Sequence, residues 1–496
     1  MSARLAAVTG AAALALLAAG CGGGGGGGGG GSITGSLPEG ASIAPKGSAL
    51  FLSMDTDFDS DQWKQTAALF DKFPGGPELL AQVQKELKGF PLADLKSALG
   101  PELDVVLVDF VNGGDDTVTM TKPKDAAKLK ALLAKSESNS VSEQVEDWTV
   151  VADSRAQLDR FDTARKDGVL SESDAFTEAM KELPGAAAAK LYLEGGQVQA
   201  GLEKSLQGSG IPSGSTSDFS DFGSIRSIAA AAVAEKNGVS LDGDVAATVK
   251  AKTETYAPEL PSVLPSGALL LVSFAHLDQP IRQVLDSVKR SQPRLQKQLD
   301  LFQGVAGLSL EGDLLPILAG EGAIVVYPSE PRAKIPAISL VLKLEDEAKV
   351  KNLLDRLATV LRLSGNVKVT SAVVDGVPVK KFDVQRVTLL AGVFDGMLVV
   401  TNGASVIKGL HSNGDKLVDD PQYSQAADDA GLPDEVLGFA YADLKSGLPD
   451  VFSLVESAGE TIPPEVRTNT KPLQSLLLYA SGDADRFSFG GFLTLK

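Results

Sequence analysis

From Leu37 onward, short apolar runs of strand character alternate with amphipathic stretches of helical period, and the same order of elements occurs twice. Pro45 to Ser53 and Pro265 to Ser273 are each a turn followed by an apolar run. Each leads to a helical stretch, Asp61 to Phe73 in one case and Asp278 to Arg290 in the other. Leu99 to Val108 and Leu318 to Val326 each pass from a helix end through a glycine turn into a buried strand. Thr117 to Thr121 and Ile338 to Leu342 read as strands that run into charged amphipathic helices, Asp125 to Lys135 and Asp346 to Leu357. Trp148 to Ala152 matches Met397 to Thr401, again strand before helix.

One correspondence needs no gap: Leu170 to Ala179 aligns with Leu417 to Ala426. Both stretches place acidic or hydroxyl residues where a helix N-terminus wants a cap, and Pro421 takes the first helical position. An aromatic residue (Phe176 or Tyr423) and an alanine three residues later then face inward. Ala188 to Leu193 pairs with Gly438 to Tyr441, and each half closes on a hairpin. The first joins Ile225 to Ala234 with Val239 to Lys250; the second joins Leu473 to Ala480 with Arg486 to Leu495, turning at Gly482-Asp483. Where the first half has only Val141 to Val145, the second has an extra hairpin, Val367 to Val384, around Asp375-Gly376.

Short strands, intervening helices and tight turns predict an α+β fold of two related repeats, residues 38–252 and 258–496. Each is expected to be a largely antiparallel sheet with helices packed on one face. Gln207 to Phe222, rich in Gly, Ser and Asp, reads as a surface loop. Ile228 to Val233 is nearly all alanine, which lets a helix approach closely or leaves a hollow; close packing is the commoner use.

The first residues are of another kind. Met1 to Arg4 and the apolar run Leu5 to Ala19 have the shape of a secretory signal. The run is shorter than the ~20 residues that span a bilayer. Ala18, Ala19 and Gly20 before Cys21 resemble a bacterial lipoprotein lipobox, although the usual leucine stands one place early, at Leu17. The resemblance implies that residues 1–20 are a signal peptide, cut so that Cys21, alkylated with diacylglycerol, becomes the mature N-terminus. Residues 21–37 are then a glycine-rich tether with an r.m.s. span of ~20 Å. The protein is expected outside the cytoplasm, anchored to the cell membrane by lipid on Cys21.

Composition narrows the chemistry. A net charge of −18, one unit more negative without Arg4, disfavours nucleic acid and adhesion to anionic headgroups. One cysteine permits no disulfide within the chain, and with only two histidines no zinc, haem or other metal or cofactor site is expected. Asp55, Asp57, Asp59 and Asp61 alternate as calcium ligands can. An EF-hand also needs glycine sixth and glutamate twelfth, places held by Ser60 and Thr66 or by Gln62 and Ala68. A capped, solvated strand-to-helix junction fits better.

Ser405 and Lys408 match a Ser-x-x-Lys element, with Ser364, Asn366 and Lys445 near companion motifs, but their order is wrong for penicillin-interacting enzymes. His276, beside Asp278, and His411 read as surface residues. No catalytic residue is assigned and the protein is not expected to be an enzyme.

The lipobox, the duplicated Leu-x-Gly-x-Glu and Leu-x-Asp-Asp-Pro-x-Tyr type motifs and the length carry a resemblance over nearly the whole mature chain. It is to a bacterial surface lipoprotein family of unknown function, domain-of-unknown-function family 3352, internally duplicated. That family has no established catalytic residues, so the resemblance transfers no site. The expected role is a non-enzymatic interaction or structural module of the cell envelope, with an envelope protein or an apolar ligand as partner. One alternative is a carrier of lipid or another apolar ligand, which predicts a continuous apolar cavity lined by sheet residues. Another is a solute-binding component of a transporter.

Overall fold

The computed structural model describes residues 36–76, 92–110, 116–135, 140–200, 223–249, 254–291, 307–331, 333, 335–364, 367–384, 387–482 and 486–496. Residues 1–35, where the signal peptide, Cys21 and most of the tether were expected, and Gln207 to Phe222, expected as a surface loop, lie outside the described residues.

The first strands are β1 (Leu50–Asp55), β2 (Glu102–Leu107), β3 (Thr117–Thr121), β4 (Val141–Val145), β5 (Trp148–Ala152), β6 (Ala189–Glu194), β7 (Gly223–Glu235) and β8 (Gly238–Val249). Then come β9 (Leu270–Phe274), β10 (Gly322–Tyr327), β11 (Ala337–Lys343), β12 (Lys368–Val374) and β13 (Val377–Val384). The last are β14 (Val387–Phe394), β15 (Met397–Thr401), β16 (Gly438–Asp443), β17 (Leu473–Gly482) and β18 (Arg486–Leu495). All 18 belong to one sheet. Edge to edge its order is β4-β5-β3-β2-β1-β6-β7-β8-β18-β17-β16-β9-β10-β11-β15-β14-β13-β12, with every neighbouring pair antiparallel. In the middle, β8 meets β18, with Asp242 opposite Gly490.

Helices cover both faces of the sheet, not the one face expected. Phe51, Val106, Val118 and Tyr192 pack with Leu158 and Phe161 of α4 (Arg155–Ala164) and with Phe176 and Met180 of α5 (Asp174–Lys181). On the other face Leu52, Met54, Leu103 and Val105 meet α2 (Leu92–Ala98) and α3 (Ala126–Lys135). The physical reason is legible in β1 and β2, whose residues are buried without alternation; a strand covered on both sides needs a continuous apolar run.

The alanines of β7 serve the same two-sided cover. Ala229 and Ala231 lie in the core with α5, whereas Ala232 and Ala234 pack with Leu69 of α1 (Asp61–Phe70). The Gln62 amide fixes α1 by accepting from Ala234 N–H at 2.9 Å and donating to its carbonyl at 3.3 Å. Small side chains here bring helices close.

Helix starts follow local capping. Ser154 and Gln157 form a capping box on α4. Ser173 caps α5, and Asp420 caps α9 (Pro421–Ala430), which follows α6 (Asp278–Ser291), α7 (Glu347–Ser364) and α8 (Ala404–His411). Asp420 accepts N–H bonds from Gln422 at 2.9 Å and from Gly267 at 3.0 Å, so it also pins the turn before β9. Asp420→Ala is expected to lower stability by about 1–2 kcal/mol. In urea this reads as a lower midpoint with an unchanged slope. An unchanged midpoint would show the cap to be dispensable.

Candidate functional site

The residues singled out from the sequence are not gathered into one centre. Asp55 to Asp61 forms the junction between β1 and α1. Asp55 accepts from Asp57 N–H and Ser60 Oγ, and Ser60 Oγ accepts from Trp63 N–H. Asp59 pairs with Lys96 at 2.8 Å and Asp57 with Lys124 at 3.6 Å. The carboxylates turn to separate lysines, and no metal-ligand cluster is formed among the described residues.

Ser405 and Lys408 sit on the exposed side of α8, whose buried side is Val406, Ile407 and Leu410. Lys445 lies on α10 (Leu444–Ser457), Ser364 ends α7, and Asn366 is outside the described residues. His276 adopts a positive φ of 56° just after β9. His411 Nδ1 lies 3.2 Å from Asp395 at the surface.

A different arrangement recurs in the structure. The Glu102 carboxylate accepts from Glu39 N–H at 3.1 Å and Gly40 N–H at 2.9 Å. Glu321 accepts from Glu259 N–H at 2.9 Å and Leu260 N–H at 2.8 Å. Each carboxylate ties a single 3-10 turn, Glu39–Ser42 or Leu260–Ser262, to the sheet. Burial raises the Glu321 pKa, and the two N–H bonds draw it part of the way back. These glutamates end the stretches Leu99-Gly-Pro-Glu102 and Leu318-Ala-Gly-Glu321, so their signal was in the sequence; their distant partners were not.

Under the first turn lies Asp104, fully buried, opposite Ser53 in register; Lys190 of β6 lies opposite Ser53 on the other side. Neither Asp104 oxygen has a hydrogen-bond partner in good geometry. Burial first, and the Glu102 charge second, push its pKa well above the ordinary carboxyl range, and Ser53 offsets this only in part. The Lys190 pKa is lowered by burial, against the pull of Glu102; its Nζ donates to the Ser36 carbonyl at 3.3 Å. Two residues past Glu321, Ala323 pairs with Ser273, so no acid lies under the Leu260–Ser262 turn at the position that corresponds to Asp104.

At the sheet edge α7 crosses β12 to β14, packing Ala358 and Leu361 with Val369, Phe382 and Ala391. Beside that contact is a groove of about 370 Å³ lined by α7 and by β12, β13 and β14. Leu354, Val373, Pro378 and Val393 supply its apolar surface, and Lys351 and the Asp355–Lys380 pair (2.7 Å) supply its charges. Among the described residues β12 pairs only with β13, and its Lys368, Thr370, Ser371 and Val373 are exposed.

These features define an α+β protein built on one large antiparallel sheet. The chain belongs to the family described as a protein of unknown function, DUF3352, whose model matches residues 117–495. No curated protein matches it. Among solved structures it is similar to crystal form IV of TP0453, at 10% identity and a TM-score of 0.24 over 48% of this chain and 94% of that one. Crystal form I of TP0453 gives 12% identity and a TM-score of 0.22 over the same shares. TM-scores this low establish no shared fold.

Proposed function

We propose that the protein is a non-enzymatic interaction module of the cell envelope. It is held outside the cytoplasmic membrane by lipid on Cys21 and docks an extended segment of a protein partner. It is built from one α+β unit used twice, residues 38–252 and 258–496. The duplication draws support from strand order: inward from the edges, β4-β5-β3-β2-β1-β6-β7-β8 matches β14-β15-β11-β10-β9-β16-β17-β18, leaving β12 and β13 as the added hairpin. The Glu102 and Glu321 anchors occupy matching places in that order.

The docking reading rests on the open edge of β12 beside a partly apolar groove. An edge strand binds an extended peptide through its free backbone groups, and an adjacent pocket takes a side chain. Lys351 and Lys368 lie at this corner of a chain whose net charge is −18, which favours an acidic segment carrying an apolar side chain. The apolar part of the groove also supports the second reading, a carrier of lipid or another apolar ligand. The solute-binding reading draws no support here, since that class relies on parallel sheets and every pair in this sheet is antiparallel.

A photo-crosslinking residue at Ser371, with Ser142 on the opposite edge strand as control, tests this in intact membranes. The expected product is a protein adduct at an acidic, strand-forming segment, obtained from Ser371 alone and reduced at least tenfold by Lys351→Glu with Lys368→Glu. Lipid adducts at Ser371 would replace docking by the apolar-ligand reading. Equal or absent products at both edges would overturn docking. Cys21→Ala is expected to move the protein from the membrane to the soluble extracytoplasmic fraction, and retention on the membrane would overturn the anchor.

A further inference from the structure

We propose that Ser36 to Ala44 is a proton-linked latch: it closes over the neutral carboxyl of Asp104 and loosens when that carboxyl ionises. The inference is independent of the docking reading, because it concerns the opposite half of the sheet and needs no ligand.

The segment is held at three levels. Lys190 grips the Ser36 carbonyl, Glu102 grips the Glu39 and Gly40 N–H groups, and the Ala44 carbonyl accepts from Leu170 N–H at 2.8 Å. Ala41, Ile43 and Ala44 are fully buried as part of the core. Gly40 comes so close to Asp104 that a Cβ there would lie 1.8 Å from Oδ2. The closed segment therefore shuts Asp104 away from water, while its own Glu39 and Gly40 N–H groups go to Glu102 and not to Asp104. A carboxylate in such a place is costly, whereas a neutral carboxyl is tolerated.

The surrounding charges act in the same direction. Glu102 faces Asp104 from its own strand, and Glu39 faces it from the turn above. From β3 the residue opposite is Met120 and from β1 it is Ser53, neither of them charged. Lys122 sits beyond Glu39, at 3.9 Å, and is shared with Asp147 at 3.7 Å. Lys190 is the cation on the same face, two strands away, and it is engaged by Ser36. An ionised Asp104 would join two negative charges and have only the Ser53 hydroxyl to offset them in part.

The sign follows from linkage. Closed, Asp104 holds its proton more tightly than open, so closing takes up a proton. Closure is strongest below the ordinary carboxyl value near ~3.9 and weakens as pH rises toward the elevated closed-state value, by up to about tenfold in the open–closed ratio per pH unit. The matching turn Leu260–Ser262 is tied by Glu321 in a half that has Ala323 where Asp104 would be, so it serves as an internal control.

Hydrogen exchange followed by mass spectrometry on the full-length protein tests the latch, with wild type and Asp104→Asn compared at each pH. At about pH 3.5, below the ordinary carboxyl value, the two should agree within twofold over Glu39 to Ala44. At about pH 8 the variant should exchange at least tenfold more slowly there, with no difference over Leu260 to Leu264. Asp104→Ala, which copies the Ala323 arrangement, should give the same profile and stands in if the asparagine variant fails to fold. An equal ratio at both pH values, or the same change at the control turn, would overturn the proposal.

Discussion

Gly40→Ala is expected to lower the unfolding free energy by about 2–3 kcal/mol, the scale of an overpacked core. The added Cβ would lie 1.8 Å from Asp104 Oδ2 and 2.7 Å from Met120 Cε, where contacts under 3.0 Å force something to move. Little there can move: Asp104 is fully buried on a central strand, and Gly40 is bonded through its N–H to Glu102. The predicted strain comes from contact alone, because Gly40 is not among the glycines with positive φ. Asp104→Ala should by itself be close to neutral or stabilising at neutral pH, since it deletes an unpartnered buried acid. Combined with Gly40→Ala it should recover at least half of the loss, a coupling that a double-mutant cycle in urea measures directly. A cost for Gly40→Ala below about 0.5 kcal/mol would show that the turn does not press on Asp104.

The same neighbourhood shows what the sequence could and could not disclose. Elements set by local rules were legible: β3, β5 and β15 have the expected limits, and the Asp-Gly turn between β12 and β13 has two positive φ values, 51° and 86°. A second such turn, Asp395-Gly396, joins β14 to β15, and β14 is a strand beyond those expected. Helix α7 runs on to Ser364, past the expected end at Leu357, because its later turns pack across the β12–β13 hairpin. That packing is a tertiary effect beyond the local pattern. Glu102 looked like part of a turn motif, yet its bonds reach residues 62 and 63 positions away. Asp104 stood in an apolar run without any cue to the glycine above it. The edge groove depends on one helix lying over three strands, a juxtaposition that spacing along the chain does not encode.

Arg486→Ala is expected to cost about 2–4 kcal/mol and to act at the middle of the sheet, where β8 and β18 pair. Arg486 Nε donates to Asp244 Oδ2 at 2.7 Å, and its other end lies 3.6 Å from Glu182, just past α5. The Asp244 side chain is 6% exposed and that of Arg486 44%, so the arginine is half in water while the acid is not. Removing the arginine leaves the acid buried and unpaired; the arginine's exposure puts the expected loss below the full range for a buried pair. The Asp244 Oδ1 already lacks a partner in good geometry, which leaves no second bond to hold the charge. Asp244→Asn added to Arg486→Ala should therefore restore more than half of the stability, because the amide carries no charge to strand. If the double variant is no more stable than Arg486→Ala, the loss comes from the arginine stem and its reach to Glu182. The strand junction would then rest on packing and backbone pairing, with the ion pair contributing little.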